Sequence, residues 1–388
     1  MKKGTIWTIG VIILLILAVV MINNGKKAPV STGQTVPVAE TGSIKIGVIA
    51  PLTGDGAVYG EPARQVYEIA VDEINKAGGI NGKQIQLIVE DGKCNGESAV
   101  SAAQKLVNAD GVQVIIGGFC SGESLAIIPV AEAKNVALIS PSSSSPDLTS
   151  KSKIFFRNFP SDSSQGSVIA QVAYDLGKRK VAFFQEQTDY ALGIYKSFNE
   201  KFTALGGVVV KEEAPSTAKD FRSQLSKLKA QKPDALFVDV QTIAVGDLIF
   251  KQAETLGLKT TILVNDVLIG NPEFITKYKN SLEGAIGAEF GVDSNNVKYK
   301  NLIETYKEKY GKDVPYPSYA QTEYDAVYIL KDAISAVGYD GAKIADFGHK
   351  ITNWQGASGS VTIGSDGDLV GGHHAEIIKD GKVMPYVK

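Results

Sequence analysis

The chain has 388 residues, 44% of them apolar and 21% charged, with a formal net charge of −2. At ~150 residues per domain that length suggests two domains, and the ordinary composition excludes collagen-like, disordered and polytopic membrane proteins. Lys2, Lys3, Lys26 and Lys27 against Glu40 leave the first 43 residues at +3 and the remainder at −5, which gives no electrostatic footprint for nucleic acid.

The chain begins with two lysines and then carries no charge from Gly4 to Gly25, with an almost unbroken apolar centre from Ile9 to Ile22. At 1.5 Å per residue this stretch reaches about 33 Å, enough to cross a bilayer. No small-x-small cleavage site follows it, and the first cysteine is Cys94, so a lipoprotein anchor is not expected. Residues 1–25 read as a signal peptide or a membrane anchor. Residues 26–43, polar with two prolines, read as a flexible linker. Either reading of the leader puts the rest of the chain outside the cytoplasm.

From Ile44 short apolar runs alternate with longer amphipathic ones. Ile44–Ala50, Gln84–Glu90, Val112–Gly117 and Val136–Ser140 read as strands. Tyr59–Ala77, Glu97–Asn108 and Ser121–Lys134 read as the helices between them. The rhythm restarts after Pro160. Asp162–Leu176, Tyr190–Leu205, Asp220–Gln231 and Ile243–Leu256 are expected as helices, with strands at Lys180–Gln185, Val208–Glu212, Ala235–Val240 and Thr261–Asn265. Such alternation predicts right-handed βαβ crossovers and parallel sheets, hence an α/β protein with two doubly wound units. The tail differs. It reads as helices at Lys298–Tyr310 and Ser318–Val337, a helical segment near Ile344–Trp354, and short strands at Gly359–Gly364 and Ala375–Met384. Turns are expected at Ser365–Asp368 and Lys379–Gly381.

Enzyme signatures are missing. There is no Gly-x-Ser-x-Gly elbow, Gly-Lys-Ser/Thr loop or His-Glu-x-x-His. Gly54, Gly56 and Gly60 are spaced GxGxxxG, one residue off a dinucleotide fingerprint, and Asp55 would oppose a pyrophosphate. A turn feeding the first helix is the better reading. Glu90-Asp91 reads as a solvated turn and His373-His374 as a surface turn. With three histidines and two cysteines, no metal or other cofactor is expected. Cys94 and Cys120 follow adjacent strands of one parallel sheet. In an exported chain such a pair reads as a disulfide, two buried thiols being the alternative.

The candidate site lies at the carboxyl ends of the strands, where ligands bind in open α/β sheets. Ser121 opens a helix, where it caps the free N–H groups that attract an anion. The hydroxyl-rich Pro141–Pro146 loop, with Ser142 and Ser144, ends the next strand and reads as a second carboxylate-binding element rather than a linker. In the second unit Tyr190 and Asp266 follow strands, and Asp266 is a natural partner for a ligand ammonium.

Taken together, IGVIAPLTGDGAVYG, AVDEINKAGGINGKQIQLIVEDGKC, IIGGFCSGES, ALISPSSSSPDLTS and YKEKYGKDVPYPSYAQTEYDAVYIL make the sequence similar to the leucine/isoleucine/valine-binding proteins. These are type I periplasmic solute-binding proteins of ABC importers, and the resemblance runs from Ile44 to the end. It implies two Rossmann-like lobes joined by three hinge crossings near residues 160, 288 and 345. Lobe 1 would comprise 44–160 plus 288–345, and lobe 2 161–287 plus 346–388. It also implies that Ser121, Ser142 and Ser144 hold an amino acid's carboxylate and amine, that Tyr59 lines the side-chain pocket and that Tyr190 covers the ligand. Cys94 and Cys120 match the family's disulfide. Two departures stand out. Gln241-Thr242 replaces an aromatic of the second lobe, so Thr242 is taken as a pocket residue, and Asp266 falls near the family's ammonium-binding Glu. The expected function is a monomeric, non-catalytic solute receptor delivering an amino acid to an ABC permease. The alternatives are an amide, urea or aromatic acid as ligand, or a membrane-tethered sensor.

Overall fold

The computed structural model of the chain describes residues 42–387. The leader and nearly all of the linker therefore lie outside the described residues. Among those described, no helix is long and apolar enough to cross a membrane.

Two sheets organise the protein. The first is built from β1 (Ile44–Ala50), β2 (Ile85–Asp91), β3 (Val114–Ile116), β4 (Ala137–Ser140) and β5 (Phe155–Arg157), parallel throughout in the order β2-β1-β3-β4-β5. Between them run α1 (Ala57–Lys76), α2 (Gly96–Lys105) and α3 (Ser121–Glu132). Every residue of β3, β4 and β5 is buried, as near-continuous apolar strands covered on both faces should be. The GxGxxxG turn does feed α1. A side chain at Gly60 would run into the carbonyl of Pro51, so the glycine lets the helix start close against the end of β1.

The second sheet takes over after Pro160. It follows α4 (Asp162–Asp175) and comprises β6 (Lys180–Glu186), β7 (Val208–Ala214), β8 (Ala235–Asp239), β9 (Thr261–Val264) and β10 (Ile286–Glu289). The crossover helices are α5 (Asp189–Ala204), α6 (Arg222–Ala230) and α7 (Ile243–Thr255), with two short helices, α8 (Asp266–Ile269) and α9 (Pro272–Lys277), before β10. These five strands are parallel. Side chains of Thr188, Thr242 and Asn265 accept the first N–H groups of α5, α7 and α8, which fixes three helix starts at the carboxyl edge of this sheet.

The tail serves both sheets. Helices α10 (Val297–Tyr310) and α11 (Pro317–Val337) pack on α1, and α12 (Gly341–Gly348) packs on β4 and β5. The helix expected to reach Trp354 stops at Gly348, and Trp354–Gly356 instead forms a hairpin (β11) with Gly359–Val361 (β12). That hairpin is held by Asp325 of α11, which accepts from the backbone N–H groups of Ala357 and Ser358. The turn expected at Ser365–Asp368 lies against β5, because the Arg157 N–H donates to the Gly367 carbonyl at 2.9 Å. Of the residues expected with the second unit, Asp366 and Gly367 bond to Ser150 and Arg157 beside β5, and the β11–β12 hairpin bonds to α10 and α11. Only at β13 (His374–Lys379) and β14 (Lys382–Pro385) does the chain join the second sheet, pairing antiparallel beside β10.

Candidate functional site

The carboxyl ends of the two sheets face one small cavity of about 30 Å³, more than the ~10–15 Å³ one water needs. On the first-sheet side it is lined by Tyr59, Phe119, Cys120, Ser121 and Ser142, with Tyr319 from α11. Tyr190, Gln241 and Val267 close it from the second. Four of the predicted residues, Tyr59, Ser121, Ser142 and Tyr190, therefore meet in one place. Ser144, Thr242 and Asp266 stand behind the wall.

The hydroxyls follow from the backbone around them. Ser121 does not cap α3; Cys120 occupies that position, and Glu123 accepts the N–H groups of Cys120 and Cys94 at 2.9 Å each. One buried carboxylate thereby ties together both cysteine loops, and its burial pushes its pKa up to about 7 despite those bonds. Cys94 and Cys120 are joined as a disulfide. Ser121 Oγ instead accepts the N–H groups of Ser144 and Ser145 at 3.2 and 3.1 Å. An oxygen holding two such bonds turns its own proton outward as a donor. Ser142 works the other way, donating to the Phe119 carbonyl at 3.0 Å, so its lone pairs remain to accept. Ser143 is spent internally on the carbonyls of Gly118 and Phe119. The serine run is a packed bracket, buried from Ser142 to Ser145, with Ser142 the most exposed of the four.

Opposite lies a buried acidic group. Asp266 opens α8, and its carboxylate accepts from the Tyr190 hydroxyl, from Gln165 Nε2 at 2.9 Å and from the Tyr319 hydroxyl at 2.7 Å. Burial, then the Asp266 charge, pushes both tyrosine hydroxyls well above their usual range, so they stay protonated donors to Asp266. Their oxygen lone pairs remain for a donor in the cavity. Gln165 Nε2 also donates to Asp162 Oδ1 at 3.1 Å. Asp162 is pushed well above the carboxylate range by burial first and by Asp266 second, while the Ser144 hydroxyl and Arg157 pull in the opposite direction. Ser144 thus serves Asp162 rather than the cavity.

Apolar and cross-cleft contacts complete the wall. Tyr59 stacks on Phe119 with ring centroids 5.6 Å apart, and Tyr319 meets both rings edge-on. The Tyr59 hydroxyl donates to the Gln241 carbonyl at 3.3 Å, joining the loop after β8 to the start of α1. Thr242 caps α7, so of the Gln241-Thr242 pair it is Gln241 that reaches the cavity. Phe119, Val267 and Tyr319 were not among the predicted residues, and Gln241 was named only as part of the Gln241-Thr242 pair. His373, expected on a surface turn, is buried, with Nδ1 2.7 Å from Ser164 Oγ, because the turn is pressed between α4 and Phe159. Among the described residues no cluster of potential metal ligands occurs.

The family model for periplasmic binding proteins matches residues 43–375. The chain belongs to that family. The binding protein is 29% identical over 331 residues to the leucine-, isoleucine-, valine-, threonine- and alanine-binding protein of Pseudomonas aeruginosa, covering 84% of this chain and 87% of the relative. Its fold is similar to that of the leucine-binding protein LivK of Thermotoga maritima, at TM-score 0.80 and 33% identity over 89% of this chain and 98% of that one. It is also similar to LivJ of Streptococcus pneumoniae in complex with isoleucine, at TM-score 0.78 and 29% identity over 88% and 98%. Its relatives are solute-binding proteins, and it is not an enzyme.

Proposed function

We propose that the binding protein captures an α-amino acid in the cavity between its two sheets and delivers it to an ABC permease from outside the cytoplasm. The observation that carries this reading is the pairing of unlike polar groups across one cavity: the outward Ser121 hydroxyl on one side, and the oxygens of Tyr190 and Tyr319, backed by Asp266, on the other. A carboxylate would accept from Ser121, and an ammonium would donate to Ser142 and the tyrosine oxygens, with Asp266 supplying the negative charge behind them. The aromatic wall of Tyr59, Phe119 and Tyr319 would take an apolar side chain. The names of the relatives, which bind leucine, isoleucine and valine, support the same class.

In this reading the sheets belong to two hinged lobes. The three crossings would lie near residues 160 and 288 and at 370–373, the bonds of Asp366, Gly367 and Asp368 to the β5 region supporting a third crossing later than residue 345. Ligand binding closes the lobes, and the permease reads the closed form. The leader would hold the protein at the membrane.

A second reading, an aromatic carboxylic acid, is favoured by one observation: three donors already serve Asp266, so a ligand without an ammonium leaves that carboxylate satisfied. Thermal shift over the twenty amino acids and benzoate separates the two. At 100-fold excess over Kd a true ligand adds about 2.7 kcal/mol of stability. A response to benzoate alone selects the second reading, and a flat panel rejects both.

A further inference from the structure

The Ser121 hydroxyl is aimed by the peptide that joins Ser143 to Ser144, since the Ser144 N–H is one of its two donors. The carbonyl of that same peptide accepts from Arg157 Nη1 at 3.2 Å, and the Ser145 carbonyl accepts from Nη1 at 2.9 Å. Arg157 has no exposed surface, and its remaining donors are fixed as well. Nε and Nη2 form a fork onto Asp368 at 2.8 and 2.9 Å, and Nη2 also reaches Thr149 Oγ1 at 3.2 Å. Asp368 is itself pinned: Thr149 Oγ1 donates to it at 2.7 Å, and the turn that carries it is bound to Ser150 and Arg157 through the carbonyls of Asp366 and Gly367. With its Nε–Nη2 fork pinned on Asp368, the planar guanidinium directs its Nη1 N–H groups at the two carbonyls in one orientation, which a freely rotating ammonium cannot.

We infer that Arg157, locked by Asp368 on the tail turn, is a positioning residue for the ligand site: it sets the Ser143–Ser145 peptides whose N–H groups orient the Ser121 hydroxyl. The inference rests on the proposed site and extends it, because neither residue touches the cavity. It also gives the tail turn a role, as a strut between the end of the first sheet and the last crossing, which begins immediately after it.

Two variants test it, Arg157→Lys, which keeps the charge and loses the fork, and Asp368→Asn, which keeps an acceptor and loses the charge pairing. The second stands in if the first does not fold. Thr149→Ser, which loses only a methyl group and keeps the hydroxyl that meets both Asp368 and the guanidinium, is the control. The ligand-independent readout is amide exchange in the full chain. The Ser144 and Ser145 amides should exchange at least tenfold faster in Arg157→Lys and Asp368→Asn, with peptides of β1 and β6 unchanged and the control like the parent. By calorimetry with L-leucine, well below the unfolding temperature, Kd should rise at least tenfold in the same two variants. Unchanged exchange at Ser144 and Ser145, or a loss of protection spread evenly over the molecule, overturns the positioning role. An unaltered Kd overturns it as well. A parent protein that binds no L-leucine removes the amino-acid reading, while the exchange result still decides the inference.

Discussion

Tyr319 donates its hydroxyl to Asp266 Oδ2 at 2.7 Å, joining α11, which packs on α1, to the helix start that follows β9 of the second sheet. This bond and the one from Tyr190 put two hydroxyl oxygens between the carboxylate and the cavity. The charge of Asp266 is therefore felt through oriented O–H dipoles rather than by direct contact. Asp266→Asn removes the charge and keeps the shape. For an amino-acid ligand it should raise Kd at least tenfold, since bonds to charged groups contribute about 1.5–3 kcal/mol. For benzoate it should change Kd little or lower it. Calorimetry on both ligands checks this, and an equal effect on each would remove Asp266 from ammonium binding.

Ser121→Ala loses the donor proposed for the ligand and also the acceptor for two backbone N–H groups. Affinity for a carboxylate ligand should fall by about 10- to 100-fold, and stability should fall by about 1–3 kcal/mol because the Ser144 and Ser145 N–H groups lose their partner. Calorimetry and urea denaturation report the two effects separately. A stability loss without an affinity loss would leave Ser121 with a purely structural part.

Much of this was legible in the chain. The alternation of apolar runs and amphipathic helices carried both sheets, because strands buried on both faces must be continuously apolar and their crossovers must turn one face to water. What the sequence does not reveal is short or distant. β5 has three residues and α8 four, too few to show a period. Tyr319 sits among Tyr316, Tyr324 and Tyr328, and nothing in such spacing separates a cavity residue from helix packing. Asp368 lies 211 residues from Arg157, so its role emerges only when the tail folds back. Ser121 lines the cavity as expected of a strand-end residue, but its chemistry differs from a helix cap: a neighbouring loop, not its own helix, supplies the partners of its oxygen.

The disulfide sits beside the site, with Cys120 in the cavity wall and Glu123 bonded to both cysteine N–H groups. Cys94 and Cys120 are 26 residues apart, and opening a loop of that size costs about 3.5 kcal/mol in the chain-entropy model. The double Cys→Ser variant should lose up to that much stability in urea. Its Kd should rise less than that of Ser121→Ala, because the Ser144 and Ser145 bonds to Ser121 survive. A Kd loss as large as that of Ser121→Ala would show instead that the disulfide itself sets the hydroxyl.

His373 makes acid stability a test of the proposed last crossing. Its ring is buried against Phe159, and its Nδ1 is bound to Ser164. Burial first, then the positive charges of His374 and Arg157, lowers its pKa to about 4, against the opposing pull of Asp266. A histidine kept neutral in the folded state binds fewer protons than in the unfolded chain. It stabilises the protein fully above pH ~6.5, and that contribution is lost as pH falls towards ~4. Each pH unit between those two values is worth about 1.4 kcal/mol, so the loss is at most about 3 kcal/mol. Glu123 and Glu323, raised by burial to about 7 and about 8, act in the opposite sense, losing stability as pH rises, so only a difference between variants isolates the imidazole. His373→Gln keeps a polar partner for Ser164 and cannot titrate. Urea denaturation at pH 7, 5.5 and 4 should show the parent losing more stability than the variant across that range. Parallel losses would mean that the imidazole gains its proton without cost and that the crossing opens to water in acid.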